Sequence, residues 1–211
     1  MRLLVETVER IARVIQVPLS VDAEAGYSDD VATVGENVAA VIGAGAVGIN
    51  LEDGTGSPDL LCAKIEEVRR EGERLGVDLF INARTDTYLR NTCAPEVRVA
   101  ETLARAERYR GAGVSGIFVP GLVDAEEIRL IAAAVKLLLN VKARAGLPAA
   151  AELATLGARR LSAGSAIPEV MLGRTATLVA EFLRSGTSGP LTDGATAYRD
   201  INALMATGSP M

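Results

Sequence analysis

A chain of 211 residues, 49% hydrophobic and 23% charged, is long enough to bury one sizeable core and too apolar to remain disordered. Its net charge of -5 is spread along the chain with no Lys/Arg block and no basic-aromatic ladder, which argues against a nucleic-acid binder. There is no histidine, so Ser-His-Asp triads, HExxH zinc sites and histidine bases are excluded together; acid–base chemistry falls to carboxylates, Lys, Tyr, Cys or a metal-bound water.

The opening MRLLVETVERIARVIQ reads as amphipathic, because Glu6, Glu9 and Arg10 interrupt its apolar residues, and it lacks the unbroken apolar core of a signal peptide. No run reaches the ~18 apolar residues of a membrane span, so a cytoplasmic protein with no membrane partner is expected. Strand patterns then fall at 18–24, 47–53, 79–85, 116–120, 137–142 and 160–165. Helical patterns lie between most of them. One covers 29–42, opened by the capping residues Ser28, Asp29 and Asp30. The next starts after Ser57-Pro58, carries Leu61, Ile65 and Val68 on one face, and ends at Gly76. Within it, Cys62 reads as a small buried hydrophobe and Lys64 as a solvated charge; Cys62 and Cys93 match no metal or redox spacing. Further helices are expected over 95–110 and 168–184. Residues 185–194, rich in Gly, Ser and Thr, read as a linker to a short terminal helix, so 1–184 form the domain and 185–211 its tail.

Repeated βα units imply a parallel sheet, open or closed. GAVGINLED (45–53) and GVSGIFVPG (113–121) echo each other: each places Gly at a helix end and then Gly-Ile at a strand start. Gly43 to Gly48 matches GxGxxG literally, but a helix precedes it and a strand follows, the reverse of the dinucleotide fingerprint, so a tight helix-to-strand turn is the preferred reading.

Side chains alternate along a strand, which puts Ser20, Asp22 and Glu24 on one face and Leu19, Val21 and Ala23 on the other. By the same parity Asn50 and Glu52, then Asn82, Arg84 and Asp86, then Asn140 and Lys142 form polar faces opposite apolar ones. The apolar faces can pack under helices. The polar faces need an interior of their own, and a closed βα barrel with its site at the C-terminal strand ends supplies one. Asp22, Glu24 and Glu52 then meet at the mouth, where three carboxylates repel unless a cation or an arginine balances them. Hard oxygen donors without His or Cys select Mg²⁺ or Mn²⁺. Arg84 is the natural anchor for an anionic substrate group. Blander roles stand beside these: Asp29, Asp53 and Asp86 as helix caps or turn closers, a role favoured for Asp29 and Asp53, and Arg84 as a structural counter-ion to Glu24 or Glu52.

The segments VDAEAGY, GAVGINLEDGTG, FINARTDTYL, GAGVSGIFVPGL and LGARRLSAGSA, in this order and at about this spacing, resemble the isocitrate lyase/phosphoenolpyruvate mutase superfamily, nearest its carboxyphosphonoenolpyruvate phosphonomutase-like branch. The resemblance runs from about residue 17 to 173. It implies an α/β, TIM-type (β/α) barrel, a last helix packed on a neighbouring subunit, a homo-oligomer that is usually a tetramer, and Mg²⁺ chelated by a 2-oxo acid or its enolate. The metal's direct ligand in the family matches Asp22. Acids that usually hold metal-bound waters match Glu24 and Glu52. The substrate-binding arginine matches Arg84, and Asn140 resembles a polar substrate contact. The implied activity is a Mg²⁺-dependent lyase or phosphonomutase that makes or breaks a C–C or P–C bond beside an enolate of a small 2-oxo acid or phosphonate.

Two departures qualify this. The loop EDGTGSPDLLCAK carries neither the KKCGH-type donor of the lyases nor the Lys-x-Asn of the mutases, which argues against isocitrate or methylisocitrate cleavage. The strand at 18–24 matches the third strand of the family barrel, so six of eight strands are recognised and the N-terminal two are expected to be missing. A fragment or misassigned start, a partner that completes the barrel, and a degenerate, non-catalytic relative are the readings of that shortfall. The functional alternatives are a non-catalytic scaffold or small-molecule binder and, further off, a ketopantoate hydroxymethyltransferase-like enzyme. Gly54 to Ser57, glycine-rich and directly after Glu52, reads as a mobile gate or as an ordinary loop.

Overall fold

A computed structural model of the chain describes residues 1–206. Six strands, β1 (Ser20–Asp22), β2 (Gly48–Glu52), β3 (Phe80–Arg84), β4 (Gly116–Phe118), β5 (Leu138–Lys142) and β6 (Arg160–Ser162), lie in sequence order in one sheet. Every neighbouring pair is parallel. Parallel neighbours in sequence order require a crossover at each step, and helices supply it, so the sheet curls into part of a (β/α) barrel. The crossovers are α2 (Val31–Gly43), α3 (Pro58–Arg74), α4 (Arg98–Ala112), α5 (Ala125–Ala134) and α6 (Ala150–Thr155). Helix α1 (Arg2–Ala12) precedes the sheet; α7 (Ala166–Ser185), α8 (Gly189–Thr192) and α9 (Tyr198–Ala206) follow it.

Local chemistry sets the boundaries. Asp30, rather than Asp29, caps α2 by accepting the Thr33 N–H at 2.8 Å. Ser57 caps α3, with Pro58 in its first turn. A 3-10 turn over Pro95–Val97 leads into α4, so the expected helix at 95–110 starts later and runs to Ala112. The expected strand at 18–24 is shorter because Glu24 adopts a φ of +52° and leaves the extended conformation, although its carbonyl still accepts the Glu52 N–H at 2.8 Å. The two echoed glycine segments are equivalent in space. Gly45 and Gly113 turn the chain out of α2 and α4 at φ of +109° and +103°, and Gly48 and Gly116 open β2 and β4. The GxGxxG run is thus a helix-to-strand turn.

The outward face of the sheet carries Ile49, Leu51, Ile81, Ala83, Ile117, Leu139 and Val141, all buried. They meet Val34 and Val38 of α2, Ile65 and Val68 of α3, and Ile128 and Ile131 of α5 in the main core. Val8 of α1 packs with Val21, Val41, Ala44 and Ala46 in a smaller one, which is the use of the amphipathic N-terminal helix. Cys62 packs at the edge of the main core, and burial pushes its thiol up, away from a reactive thiolate. Lys64 departs from expectation. It is 3% exposed, not solvated, and its ammonium donates to the Ala25 carbonyl at 2.8 Å with Asp29 3.5 Å away. Its place three residues after Leu61 and one before Ile65 puts it on the inward stripe of α3, where it covers the β1–α2 loop.

Helix α7 is different. None of its twenty residues is buried, and Val170, Met171, Leu172, Phe182 and Leu183 are among its exposed apolar side chains. The expected 185–194 linker contains the short α8, the terminal helix is α9, and 207–211 of the expected tail lie outside the described residues. Among the described residues, no helix is long and apolar enough to cross a membrane.

Candidate active site

The polar faces expected from strand parity are brought together by register. Asn50 lies beside Asp22 and Asn82, and Glu52 lies beside Arg84. Neighbouring strands run about 4.8 Å apart, so side chains on one face in register touch. Asn82 donates to Asn50 Oδ1 at 2.9 Å, Ser162 donates to Asn140 Oδ1 at 3.0 Å, and Arg160 reaches across from β6 towards Asn50 at 3.5 Å. These groups line the inner wall. Asn82 Oδ1 and Asn140 Nδ2 are buried there without a partner among the described residues.

Above this layer sit the three expected carboxylates. Asp22 and Glu24 are exposed, and Glu52 is 8% exposed. Glu52 ionises less readily than an ordinary glutamate. Burial is the largest cause; Asp86, Asp22 and Glu24 add to it, and Arg84 opposes it. The Tyr27 phenol is likewise raised, by burial first and then by the charges of Glu24, Asp22 and Glu52. Two of the three acids have also found a local use. Asp22 Oδ1 accepts the Glu24 N–H at 3.1 Å, and Glu52 Oε2 lies 2.7 Å from Arg84 Nη1. Among the described residues no three such side chains are drawn tightly enough together to form a ready coordination sphere. The donor chemistry nevertheless fits a hard divalent cation: three carboxylates, no sulfur or imidazole, and a Glu24 carboxylate with no hydrogen-bond or ion-pair partner among the described residues.

Arg84 is the most constrained side chain of the mouth. Its Nε and Nη2 hold the two oxygens of Asp86 at 2.7 and 3.0 Å, and its Nη1 holds Glu52. Burial pulls against its charge, but Asp86 and Glu52 hold the guanidinium above its ordinary pKa. So the counter-ion role foreseen for Arg84 is met, by Glu52 and not Glu24. Two of its five N–H groups make no bond among the described residues.

Sequence reasoning missed what fixes Asp86. Asp53 closes a turn with its carbonyl, as expected, but its side chain does more. Fully buried, it accepts the Asp86 N–H at 3.1 Å, Arg105 at 2.8 Å and the Tyr109 hydroxyl at 2.6 Å. Burial, followed by the Asp53 charge and hydrogen bond, keeps Tyr109 protonated. Asp86 in turn also holds Arg90 at 2.7 Å. Tyr109 sits on the Thr102, Ala106, Tyr109 stripe of α4, and a hydroxyl on that apolar face was the available signal.

Curled parallel βα units with acids and an arginine at the C-terminal strand ends define a protein of the (β/α) barrel class, cut to six strands. The chain belongs to the phosphoenolpyruvate phosphomutase family, whose model matches residues 1–183. It is 35% identical over 155 residues to an uncharacterized protein of Mycobacterium tuberculosis, covering 72% of this chain and 56% of that one. It is 33% identical over 175 residues to an oxaloacetate decarboxylase of Paraburkholderia xenovorans (strain LB400), covering 77% and 55%. The chain thus spans about half the length of the curated relatives it matches. Two crystal structures from Burkholderia cenocepacia J2315 are similar. A candidate phosphonomutase is 40% identical with a TM-score of 0.79, covering 85% of this chain and 77% of that one. A candidate lyase/mutase is 31% identical with a TM-score of 0.88, covering 100% and 78%. A phosphonopyruvate hydrolase crystallised with oxalate and Mg²⁺ shares the fold at 20% identity and a TM-score of 0.80, over 96% of this chain and 73% of that one.

Proposed function

We propose that the chain carries the site of a Mg²⁺-dependent lyase or phosphonomutase that acts on a small 2-oxo acid through an enolate. The observation that carries this reading is the grouping of Asp22, Glu24 and Glu52 at the ends of β1 and β2, with Arg84 in register beside Glu52. Asp22, with Glu24 and Glu52, would hold the cation, Mg²⁺ or Mn²⁺. When bound, the cation supplies Lewis-acid stabilisation of negative charge developing on the substrate. Arg84 orients the substrate's acidic group with its two uncommitted N–H donors, and Asp86 prevents it from swinging away. Asn140, with a buried and unpartnered Nδ2, is the further polar contact on the inner wall. The names of the relatives support the class: oxaloacetate and phosphonopyruvate are both 2-oxo acids with a second acidic group.

The reading includes a cytoplasmic setting, supported by two unpaired cysteines, and a homo-oligomer. The wholly exposed apolar flank of α7 supports a second copy of the chain as its cover.

A thermal melt with Mg²⁺ and oxalate, a mimic of pyruvate enolate, tests the site. Ligand at 100 times its dissociation constant adds ~2.7 kcal/mol of stability. The expected result is a shift that needs both components and disappears in Asp22→Ala. No shift in a cooperatively folding sample overturns the site. A non-catalytic binding role is the second reading, favoured by Arg84 already being engaged by Glu52 and Asp86. Turnover of any 2-oxo dicarboxylate or phosphonate rejects it.

A further inference from the structure

Lys64 is a buried charge that the chemistry above leaves unused. Its side chain donates to the Ala25 carbonyl at 2.8 Å, and the Asp29 carboxylate 3.5 Å away is 95% exposed to water. A buried ammonium so thinly paired is costly, and an apolar side chain of similar length would fill the same stripe of α3 at less cost. What the charge gains is its hold on Ala25.

Ala25 sits in the β1–α2 turn. Glu24, Gly26 and Tyr27 all have left-handed backbone there, at φ of +52°, +88° and +59°. Two of the three are not glycine, and L side chains resist that conformation, so the surroundings must hold it. The holding contacts come from two helices. Lys64 of α3 grips the Ala25 carbonyl, and Asn37 of α2 donates to the Gly26 carbonyl at 3.0 Å. Val34 of α2 packs so close to Gly26 that a Cβ there would come within 2.7 Å of it. The shape held in this way serves both exposed acids. The Glu24 N–H turns back onto Asp22 Oδ1 at 3.1 Å and orients that carboxylate. The Glu24 carbonyl accepts the Glu52 N–H at 2.8 Å, which fixes Glu24 against β2 and leaves its carboxylate exposed at the mouth.

We infer that Lys64 is a positioning residue of the cation site: with Asn37 it holds the β1–α2 turn in the strained shape that presents Asp22 and Glu24. The inference rests on the reading of those acids as cation ligands and adds the groups that keep them in place. Charge alone gives the opposite expectation. Lys64 and Glu52 line the same 340 Å³ chamber, and a positive charge there repels a cation, so its removal would tighten cation binding. Loss of the tether weakens it.

The test is calorimetric titration with Mn²⁺ at a fixed oxalate concentration on the wild type, Asp22→Ala, Lys64→Met and Asn37→Ala, beside the melting temperature of each metal-free protein. Groups that orient metal-binding side chains typically change affinity about 10- to 100-fold when removed. Lys64→Met and Asn37→Ala are therefore each expected to bind Mn²⁺ at least about 10-fold more weakly than the wild type. The Lys64→Met melt should stay close to that of the wild type, because the exposed Asp29 is not stranded in the core by the change. If Lys64→Met does not fold, Asn37→Ala, which removes no charge, decides the matter. Unchanged or tighter Mn²⁺ binding in either folded variant overturns the inference. So does a loss of affinity matched by a large fall in melting temperature, which would make Lys64 a general support of the fold. A wild type that binds no Mn²⁺, or an Asp22→Ala protein that binds it equally well, refutes the cation reading itself, and the inference with it.

Discussion

Replacing Asp53 with alanine tests how the site is held. The carboxylate is fully buried and accepts three hydrogen bonds, from Asp86, Arg105 and Tyr109. Its removal leaves a fully buried tyrosine hydroxyl without that acceptor and an Arg105 whose side chain is 13% exposed, with Glu101 as its remaining partner at 2.6 Å. Breaking a buried ion pair from one side costs ~3–5 kcal/mol, and an orphaned buried donor ~1–3 kcal/mol. The two share one environment and do not add. The expected loss is therefore about 3–5 kcal/mol, a large part of the ~5–15 kcal/mol that holds a domain together. Asp53→Asn keeps the shape and one acceptor oxygen but loses the charge, and should lose about 1–3 kcal/mol. Urea unfolding followed by far-UV circular dichroism reads both as a lower midpoint at unchanged slope. Because Asp53 holds the Asp86 backbone, and Asp86 holds Arg84, Asp53→Asn should also weaken Mg²⁺-dependent oxalate binding. An Asp53→Ala protein within about 0.5 kcal/mol of wild type would contradict the buried-pair argument. Intact oxalate affinity in a destabilised Asp53→Asn would break the link from Asp53 through Asp86 to Arg84.

Tyr109 predicts an alkaline limit to stability. Its folded pKa lies above its ordinary value of 10.0, so its contribution is complete below that pH and is lost as pH rises beyond it, because only the unfolded chain can then release the proton. Denaturation midpoints taken from pH 8 upward should fall less steeply in Tyr109→Phe than in wild type; parallel curves would refute this. Leu172→Glu and Leu183→Glu, on the uncovered flank of α7, should lower the oligomeric state in sedimentation without lowering the melting temperature of the remaining fold, and an unchanged sedimentation profile would mean that this flank is not an interface between copies. Gly121 has a φ of +97°, and a Cβ there would come within 2.9 Å of the Leu89 nitrogen, so Gly121→Ala should destabilise the protein by more than the ~1 kcal/mol of an ordinary surface change. If Gly54 to Ser57 gates the mouth, its amides should exchange much faster than those of β2 and slow with Mg²⁺ and oxalate; exchange as slow as in the strand would make it an ordinary loop.

Much of this protein was legible in one dimension because its signals are local. Strand parity alone put Asp22, Glu52, Arg84 and Asn140 on polar faces opposite Val21, Leu51, Ala83 and Val141, and the order of βα units implied parallel pairing. Glycine spacing identified the equivalent turns at Gly45 and Gly113, since a left-handed residue at a helix end has few substitutes. Other features depend on which element lies opposite, and no local pattern encodes that. Lys64 reads as a solvated lysine until α3 is laid over the β1–α2 loop. Asp53 reads as a turn residue until α4 brings Arg105 and Tyr109 beneath it, from more than fifty positions away. Arg84 reads as a free anchor until register seats Glu52 beside it. Sequence determined which strand side chains share a face, because backbone geometry dictates alternation. Tertiary structure decided which of them are free, because that depends on distances between segments remote in the chain.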